Sequence, residues 1–223
     1  MTQPQPSQKM TPPPETVNNA AHVINLKRSE RAFFGGRTGS GKSTLADKLI
    51  RQTGYRTAVI DPKHGWDFPG YLPVDRYDPS PDIRRQVFRP NDTAADGWAD
   101  TVRFMNAAWN DRQPVLIYVD ELSLVTTPRI APPIMLKFAR QGRSHNKGLW
   151  TGTQRPVDIP GSFLTEAEHW FIFDLRNASD RKKVAGFLGD AVSDRPKGRY
   201  SFWYGSPEFP DAVLIRQPGD KPK

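Results

Sequence analysis

Short apolar runs alternate along the chain with longer segments in which apolar residues recur every three or four positions. The short runs predict buried strands, and the longer segments predict amphipathic helices. The predicted strands span residues 31–34, 57–60, 86–89, 115–119, 148–153 and 169–174. The predicted helices span residues 45–50, 93–110, 134–140 and 180–188. This alternation predicts an α/β fold built on a doubly wound, mainly parallel sheet.

The segments outside this alternation complete the predicted organisation. Residues 199–204 and 212–216 predict two more strands, which we expect to form a small antiparallel edge. Residues 64–82 are rich in Pro, Gly and Asp and predict a long irregular loop. Residues 1–21, rich in Pro, Gln, Thr and Asn, predict a disordered tail. One folded domain is therefore expected over residues 22–216, followed by a polar C-terminal tail at 217–223.

The loop after the first predicted strand fits the phosphate-binding pattern G-x-x-x-x-G-K-[ST] at residues 36–43. Its glycines let backbone N–H groups surround a phosphate, and the following helix directs its positive N-terminal end to the same anion. Lys42 supplies a positive charge for the β- and γ-phosphates, and the Ser43 hydroxyl suits Mg²⁺. A nucleoside triphosphate is therefore the expected ligand. The residues expected to bind it are Gly36, Arg37, Thr38, Gly39, Ser40, Gly41, Lys42, Ser43 and Thr44.

An acidic pair, Asp120 and Glu121, directly follows the apolar run at 115–119. A carboxylate at a strand tip beside such a loop supports Mg²⁺, which suits Asp120. The adjacent Glu121 is placed to orient and deprotonate an attacking water. The sequence contains no Asn-Lys-x-Asp run of the kind that recognises guanine. We therefore expect an enzyme that hydrolyses ATP with Mg²⁺, in which Lys42 and Glu121 are catalytic.

Gln154 follows the predicted strand at 148–153, where ligands of open parallel sheets collect. From that position its side chain could contact the γ-phosphate or the attacking water and report the state of the nucleotide. The residue type fits a solvated turn equally well. The sequence leaves both interpretations of Gln154 open.

Charge and composition bear on the partner and the location. The formal net charge of +8 favours a polyanionic partner, and basic residues cluster at 140–147, 181–183 and 195–199. Each cluster could equally be an ordinary solvated surface. The aromatic residues at 202–204 could stack on bases, but their place in a predicted strand favours packing in the core. The sequence has no cysteine, which excludes disulfides and thiolate metal sites. It has no apolar run of about eighteen residues and no signal-peptide pattern, so we do not expect an integral membrane protein.

Taken together, four motifs resemble the HerA/FtsK superfamily of P-loop ATPases. They are the phosphate-binding loop, the run at residues 61–63, the acidic pair at 120–121, and Arg143 followed by residues 153–156. The resemblance covers about residues 32–186 and implies a RecA-like fold of the additional-strand, catalytic-glutamate type. It also implies a homo-oligomeric ring, of six or five subunits, with double-stranded DNA in its channel.

The resemblance implies roles for individual residues as well. Lys42 and Ser43 would bind nucleotide and Mg²⁺, Asp120 would support the metal, and Gln154 would be the sensor. An arginine from one subunit would complete the neighbour's site, and Arg143 is the first candidate for this finger, with Arg140 the second. The alternative is that these two arginines bind DNA phosphate or lie in solvent.

The chain's layout most resembles the genome-packaging ATPases of tailless icosahedral viruses with an internal membrane. This implies a motor that moves double-stranded viral DNA into a preformed capsid, in the host cytoplasm or associated with the virion. A capsid vertex or proteins of the internal membrane would then be its docking partners. The alternatives are a DNA translocase of a plasmid or an integrative element, and a Zot-like ATPase for phage protein assembly or export.

Overall fold

The computed structural model describes residue 24, residues 26–91 and residues 94–216, without the side chains of 94–97. The tails predicted at 1–21 and 217–223 lie outside the described residues. The strands are β1 Ala32–Gly35, β2 Thr57–Ile60, β3 Leu72–Val74, β4 Arg85–Phe88, β5 Val115–Val119, β6 Lys147–Thr153, β7 His169–Ile172, β8 Phe202–Gly205 and β9 Val213–Ile215. The helices are α1 Lys42–Thr53, α2 Ala94–Asn110, α3 Pro133–Gln141, α4 Ser162–Thr165 and α5 Ala178–Leu188.

The nine strands form one sheet in the order β3-β4-β2-β5-β6-β1-β7-β8-β9. All pairs from β3 to β7 are parallel, and β8 and β9 add an antiparallel edge. The predicted α/β fold and its antiparallel edge are thus confirmed. Strand β1 lies between β6 and β7, so the loop that follows it emerges at the middle of the sheet's carboxyl edge. Ligands of open α/β sheets bind along that edge.

Two hydrophobic clusters cover the two faces of the sheet. Phe33 and Phe34 are adjacent in β1 and belong to different clusters, because successive strand residues point to opposite faces. Strand β5 is fully buried along its length, as expected for a parallel strand covered on both sides. The aromatic residues of β8, Phe202, Trp203 and Tyr204, are also buried, which confirms their predicted role in the core.

One predicted segment is wrong in part. Residues 64–82 were expected to be an irregular loop, but they include β3, a three-residue parallel strand at the edge of the sheet. The segment is too short and too exposed to show an alternating apolar pattern, and it contains Pro73. Proline is tolerated there because an edge strand can leave one side unpaired.

Among the described residues, no helix combines the length and the apolar character needed to cross a membrane.

Candidate active site

The phosphate-binding loop connects β1 to α1 at the carboxyl edge of the sheet. Gly39 and Gly41 have φ angles of 73° and 99°, in the left-handed region that favours glycine. Gly41 caps α1 without a side-chain hydrogen bond, and Lys42 is the first helical residue. The first backbone N–H groups of a helix have no partner within the helix, so they are available to an anion at this loop.

A cleft of about 280 Å³ opens over this loop. Its lining residues are Arg37, Thr38, Gly39, Gly41, Lys42, Ser43, Thr44, Lys63, Gly65, Asp120 and Gln154. Nearly all the side chains among them are charged or polar, and three of them are cationic. The cleft therefore suits a strongly charged, oxygen-rich ligand such as a polyphosphate. It brings together the predicted residues of α1, the tip of β5 and the tip of β6.

Ser43 and Asp120 form the predicted metal-binding pair. The Ser43 hydroxyl lies 3.1 and 3.3 Å from the two carboxylate oxygens of Asp120. The Lys42 ammonium lies 3.7 Å from the nearer of these oxygens, and its side chain is buried. A hydroxyl and a carboxylate are the hard oxygen ligands that Mg²⁺ prefers, so the residues present fit this ion.

A hydrogen bond from Tyr118 fixes the orientation of the Asp120 side chain. The Tyr118 hydroxyl donates a hydrogen bond to Asp120 Oδ1 over 2.9 Å. Asp120 directly follows β5, and residues two apart along an extended chain point to the same side. Complete burial raises the pKa of the Tyr118 hydroxyl well above its usual range, so that it remains a donor. Gly152 in β6 makes room for this contact, because a Cβ there would lie 2.7 Å from the Tyr118 oxygen.

Glu121 is buried, and both oxygens of its carboxylate accept hydrogen bonds. Its Oε1 accepts from the Ser123 hydroxyl at 2.7 Å, the Thr153 hydroxyl at 2.8 Å and the Gln154 backbone N–H at 3.0 Å. Its Oε2 accepts from the Lys63 ammonium at 2.6 Å. The backbone of Glu121 has a φ of 76°, an uncommon value for a residue other than glycine. These contacts hold both the backbone and the carboxylate in place.

Two opposing effects set the charge of Glu121. Burial by itself raises the pKa of this carboxyl, while the hydrogen bonds from Lys63, Ser123 and the Gln154 backbone lower it. The hydrogen bonds dominate and bring the pKa to about 2. The carboxylate is therefore ionised at neutral pH and can orient a water, although with these partners in place it is a weak proton acceptor.

Gln154 touches the phosphate-binding loop. Its side-chain carbonyl accepts a hydrogen bond of 2.9 Å from the Thr38 hydroxyl, and its backbone N–H donates to Glu121. One residue thus contacts both the loop that would surround the phosphates and the proposed base. Gln154 therefore lies in contact with the candidate site, and its role as a sensor remains a prediction.

Comparisons with known proteins find a similar fold in several solved structures. The sequence matches no protein-family model and no curated protein. The fold is similar to B204, the DNA-packaging ATPase of Sulfolobus turreted icosahedral virus, with a TM-score of 0.68 and 17% identity over 84% of this chain and 97% of that one. It is also similar to the genome-packaging NTPase B204 of Sulfolobus turreted icosahedral virus 2 bound to ATPγS (TM-score 0.65, 14% identity, 86% and 98% coverage). The pCW3 conjugation coupling protein TcpA gives a TM-score of 0.55 at 18% identity, over 84% of this chain and 59% of that protein.

The chain shares its fold with these packaging NTPases and with the coupling protein. The resemblance expected from the motifs is confirmed at the level of the fold. The roles of individual residues are not tested by these likenesses and remain predictions.

In this fold, Asp174 connects the phosphate-binding loop to the tip of β7. Its carboxylate accepts from Arg37 at 2.7 Å and from Arg195 at 2.5 and 2.7 Å. Its backbone carbonyl accepts from the Arg37 N–H at 3.0 Å. The hydrogen bond from Arg195, followed by that from Arg37, lowers the pKa of Asp174 to about 2 against the effect of burial.

The two candidate arginine fingers lie far from this cleft within one subunit. Arg143 lies in a turn before β6, and Arg140 lies in the last turn of α3. The seven residues of β6 separate Arg143 from Gln154, a span of about 20 Å. The Arg143 guanidinium is largely exposed and contacts Glu168 at 3.1 Å. Within its own chain Arg143 is therefore too far from the cleft to contact a nucleotide there, and its role as a finger remains a prediction.

Several residues of the basic clusters have internal roles. The Lys147 ammonium is buried and donates to the carbonyls of three residues: Ala108, Asp111 and Gln113. Arg181 donates to three backbone carbonyls, and Lys183 donates to the Ile159 carbonyl at 2.7 Å. Arg195 is paired with Asp174. These contacts reduce the number of basic side chains that the clusters leave for DNA.

The sequence interpretation assigned no role to several residues that build the site. Tyr118 could have been found from the two-residue period of β5, which places it on the same face as Asp120. Lys63 belongs to a motif used for the resemblance, but its pairing with Glu121 crosses 58 residues of sequence. Thr153 ends β6 and Asp174 lies two residues after β7, and only the order of the strands brings them to Glu121 and Arg37.

Proposed function

We propose that this chain hydrolyses ATP and uses the energy to move double-stranded DNA. The observation that carries the proposal is one cleft lined by a phosphate-binding loop and by a hydroxyl–carboxylate pair suited to Mg²⁺, behind which the buried Glu121 is hydrogen-bonded to two lining residues, Lys63 and Gln154. These are the parts that phosphoryl transfer to water requires. The likeness to two packaging NTPases, one bound to ATPγS, supports ATP as the ligand.

Each residue has a defined task in this proposal. The loop amides and Lys42 bind the β- and γ-phosphates, and Ser43 and Asp120 hold Mg²⁺. When bound, Mg²⁺ neutralises charge that develops on the phosphate oxygens. Glu121 accepts the proton of the attacking water. Gln154 passes the state of the nucleotide to the rest of the chain through its contacts with Thr38 and Glu121.

DNA movement is supported by charge and by fold. The formal net charge is +8, and Arg140 and Lys182 are exposed. In a ring each such residue recurs around the channel and contacts phosphates without regard to sequence. The two packaging NTPases are matched over at least 97% of their own length, which favours packaging of a viral genome into a preformed capsid. Docking at a capsid vertex or on an internal membrane, in the host cytoplasm or in the virion, belongs to this proposal.

A second candidate is a translocase that works without a capsid, such as one for a plasmid or an integrative element. It is favoured by the likeness to the conjugation coupling protein TcpA. The two candidates share the motor chemistry and differ only in what the motor docks to. Binding of the chain to purified procapsids would favour packaging.

The test of the motor is the steady-state ATPase rate of the full chain with and without double-stranded DNA, across a salt titration. We expect DNA to stimulate hydrolysis several-fold and the stimulation to fade as salt rises, because phosphate contacts release counterions. An ATPase rate that DNA leaves unchanged at every salt concentration would contradict the proposal of DNA movement. A chain without Mg²⁺-dependent ATPase activity would contradict the proposed hydrolysis.

A further inference from the structure

A second cavity lies next to the phosphate-binding cleft, on the other side of α1. It has a volume of about 230 Å³ and is lined by Gly41, Thr44, Leu45, Lys48, Phe173 and Tyr200. Gly41 and Thr44 also line the phosphate-binding cleft, so the two cavities meet at the first turn of α1. The second cavity contains two aromatic rings and an aliphatic side chain, whereas the cleft is mainly charged and polar.

The order of the strands determines which end of a nucleotide reaches this cavity. Asp120 and Gln154, the residues proposed to act at the γ-phosphate, follow β5 and β6 on one side of β1. Phe173 follows β7 on the other side, and Tyr200 precedes its partner strand β8. A triphosphate that runs along the loop with its γ-phosphate towards β5 and β6 therefore directs its sugar and base towards β7 and β8.

Both aromatic residues lie beside Gly41 of the phosphate-binding loop at that end. Phe173 is buried and packs against Phe202, with ring centroids 5.0 Å apart. Tyr200 is 40% exposed, and the Arg199 guanidinium lies 5.1 Å from its ring centroid. A Cβ added to Gly41 would lie 3.2 Å from the Tyr200 ring, so this ring lies directly beside the loop. A partly exposed ring held in this way offers an apolar surface to a flat ligand.

We propose that Tyr200 and Phe173 bind the base of the nucleotide, with the base stacked on Tyr200 and Lys48 available to its polar edge. This inference rests on the proposed nucleotide binding and adds the site of the base to it. Every base has a π-face, so stacking on an aromatic side chain stabilises binding with little regard to base identity. The charged cleft then holds the phosphates, and the second cavity holds the nucleoside.

The test compares two ligands that differ only in the nucleoside. In the full chain carrying Glu121→Gln, so that ATP is not consumed, the dissociation constants of Mg²⁺–ATP and Mg²⁺–tripolyphosphate are measured by calorimetry. Tyr200→Leu keeps an apolar side chain beside Gly41 but removes the ring. We expect it to weaken ATP binding about tenfold, the size of one aromatic stacking contact, and to leave tripolyphosphate binding unchanged. Tyr200→Phe should bind both ligands as the parent does.

The matched control is Phe187→Ala, which removes another aromatic side chain of similar exposure, 39%, in α5. It should change neither dissociation constant. Equal weakening of ATP and tripolyphosphate by Tyr200→Leu would overturn the base site, since it would show that the ring only supports the loop. Unchanged ATP binding in Tyr200→Leu would overturn it too. If Tyr200→Leu weakened the binding of ATP but not of tripolyphosphate, the base site would be supported even if DNA failed to stimulate the ATPase. Failure of the proposed DNA movement is therefore distinguishable from failure of this inference.

Discussion

At the scale of single residues, Glu121 unites an uncommon backbone conformation with a fully hydrogen-bonded carboxylate. Its Oε1 faces Ser123, Thr153 and the Gln154 backbone, and its Oε2 faces Lys63. Lys63 also lines the phosphate-binding cleft. The carboxylate is thus fixed next to the site where the γ-phosphate would lie. The strain of a left-handed glutamate is typical of functional sites, where surrounding contacts hold it in place.

Replacing Glu121 separates binding from hydrolysis. Glu121→Gln should bind ATP within a few-fold of the wild type, because the phosphate contacts come from the loop and Lys42. Its single-turnover hydrolysis should fall by about 10²–10⁴-fold, the usual contribution of a general base. Lys42→Ala should instead weaken ATP binding itself.

The matched control for that experiment is Glu208→Gln, which changes an exposed glutamate before β9. It should leave both binding and hydrolysis unchanged. Normal hydrolysis by Glu121→Gln would show that Glu121 is not the base.

At the scale of elements, the site is assembled from the carboxyl-terminal ends of four neighbouring strands. Strand β1 leads into the phosphate-binding loop, β5 ends in the acidic pair, β6 ends in Gln154, and β7 ends near Asp174. The sequence predicts where these strands lie along the chain, since each predicted strand is followed by polar or glycine residues. Strand β3 could not be predicted, because three half-exposed residues carry no periodic signal.

The contact between β7 and the phosphate-binding loop should depend on pH. The pKa of Asp174 is about 2 in the folded chain, against 3.8 for the free side chain, so its ionised form stabilises the fold. This contribution is complete above about pH 4 and is lost as the pH falls towards 2. Asp174→Asn should therefore lower the free energy of unfolding by about 1–2 kcal/mol at pH 7, allowing for the partial exposure of its arginine partners.

Urea denaturation at pH 7, 5, 4 and 3 measures this difference. The gap between Asp174→Asn and the wild type should be constant from pH 7 to pH 5 and narrow below pH 4. Asp82→Asn, at an exposed carboxylate between β3 and β4, controls for the change in net charge. A gap that stayed the same down to pH 3 would mean that the asparagine acts by packing rather than through the ion pairs.

At the scale of the whole molecule, different candidate residues lie at the two edges of the sheet formed by the carboxyl and the amino ends of the parallel strands. The carboxyl edge holds the phosphate-binding cleft and the cavity proposed for the base. The amino edge holds Arg143, which is exposed and paired with Glu168. If subunits associate with the amino edge of one against the cleft of the next, Arg143 reaches a neighbour's nucleotide. A ring repeats this contact at every interface.

Mixing two inactive variants tests this arrangement. If Arg143 is the finger and Glu121 is the base, Arg143→Ala and Glu121→Gln should each hydrolyse ATP at least 10²-fold more slowly than the wild type. In mixed rings some interfaces combine an intact Glu121 with an intact Arg143, and part of the activity should return. Arg140→Ala, at the second candidate, is tested in parallel. No recovery in rings shown to exchange subunits would leave Arg143 as a surface residue.

The sequence by itself determined the local chemistry and the class of fold. A phosphate-binding loop is built from consecutive residues and can be recognised from them alone. The apolar run before Asp120 and Glu121 likewise predicts a strand that ends at this acidic pair. The tertiary structure decided which residues far apart in the chain contact each other. The pairing of Lys63 with Glu121, the bridge from Asp174 to the phosphate-binding loop, and the burial of Lys147 all depend on which strands are neighbours. Strand order is set by the packing of the whole sheet, and no local pattern of residues encodes it.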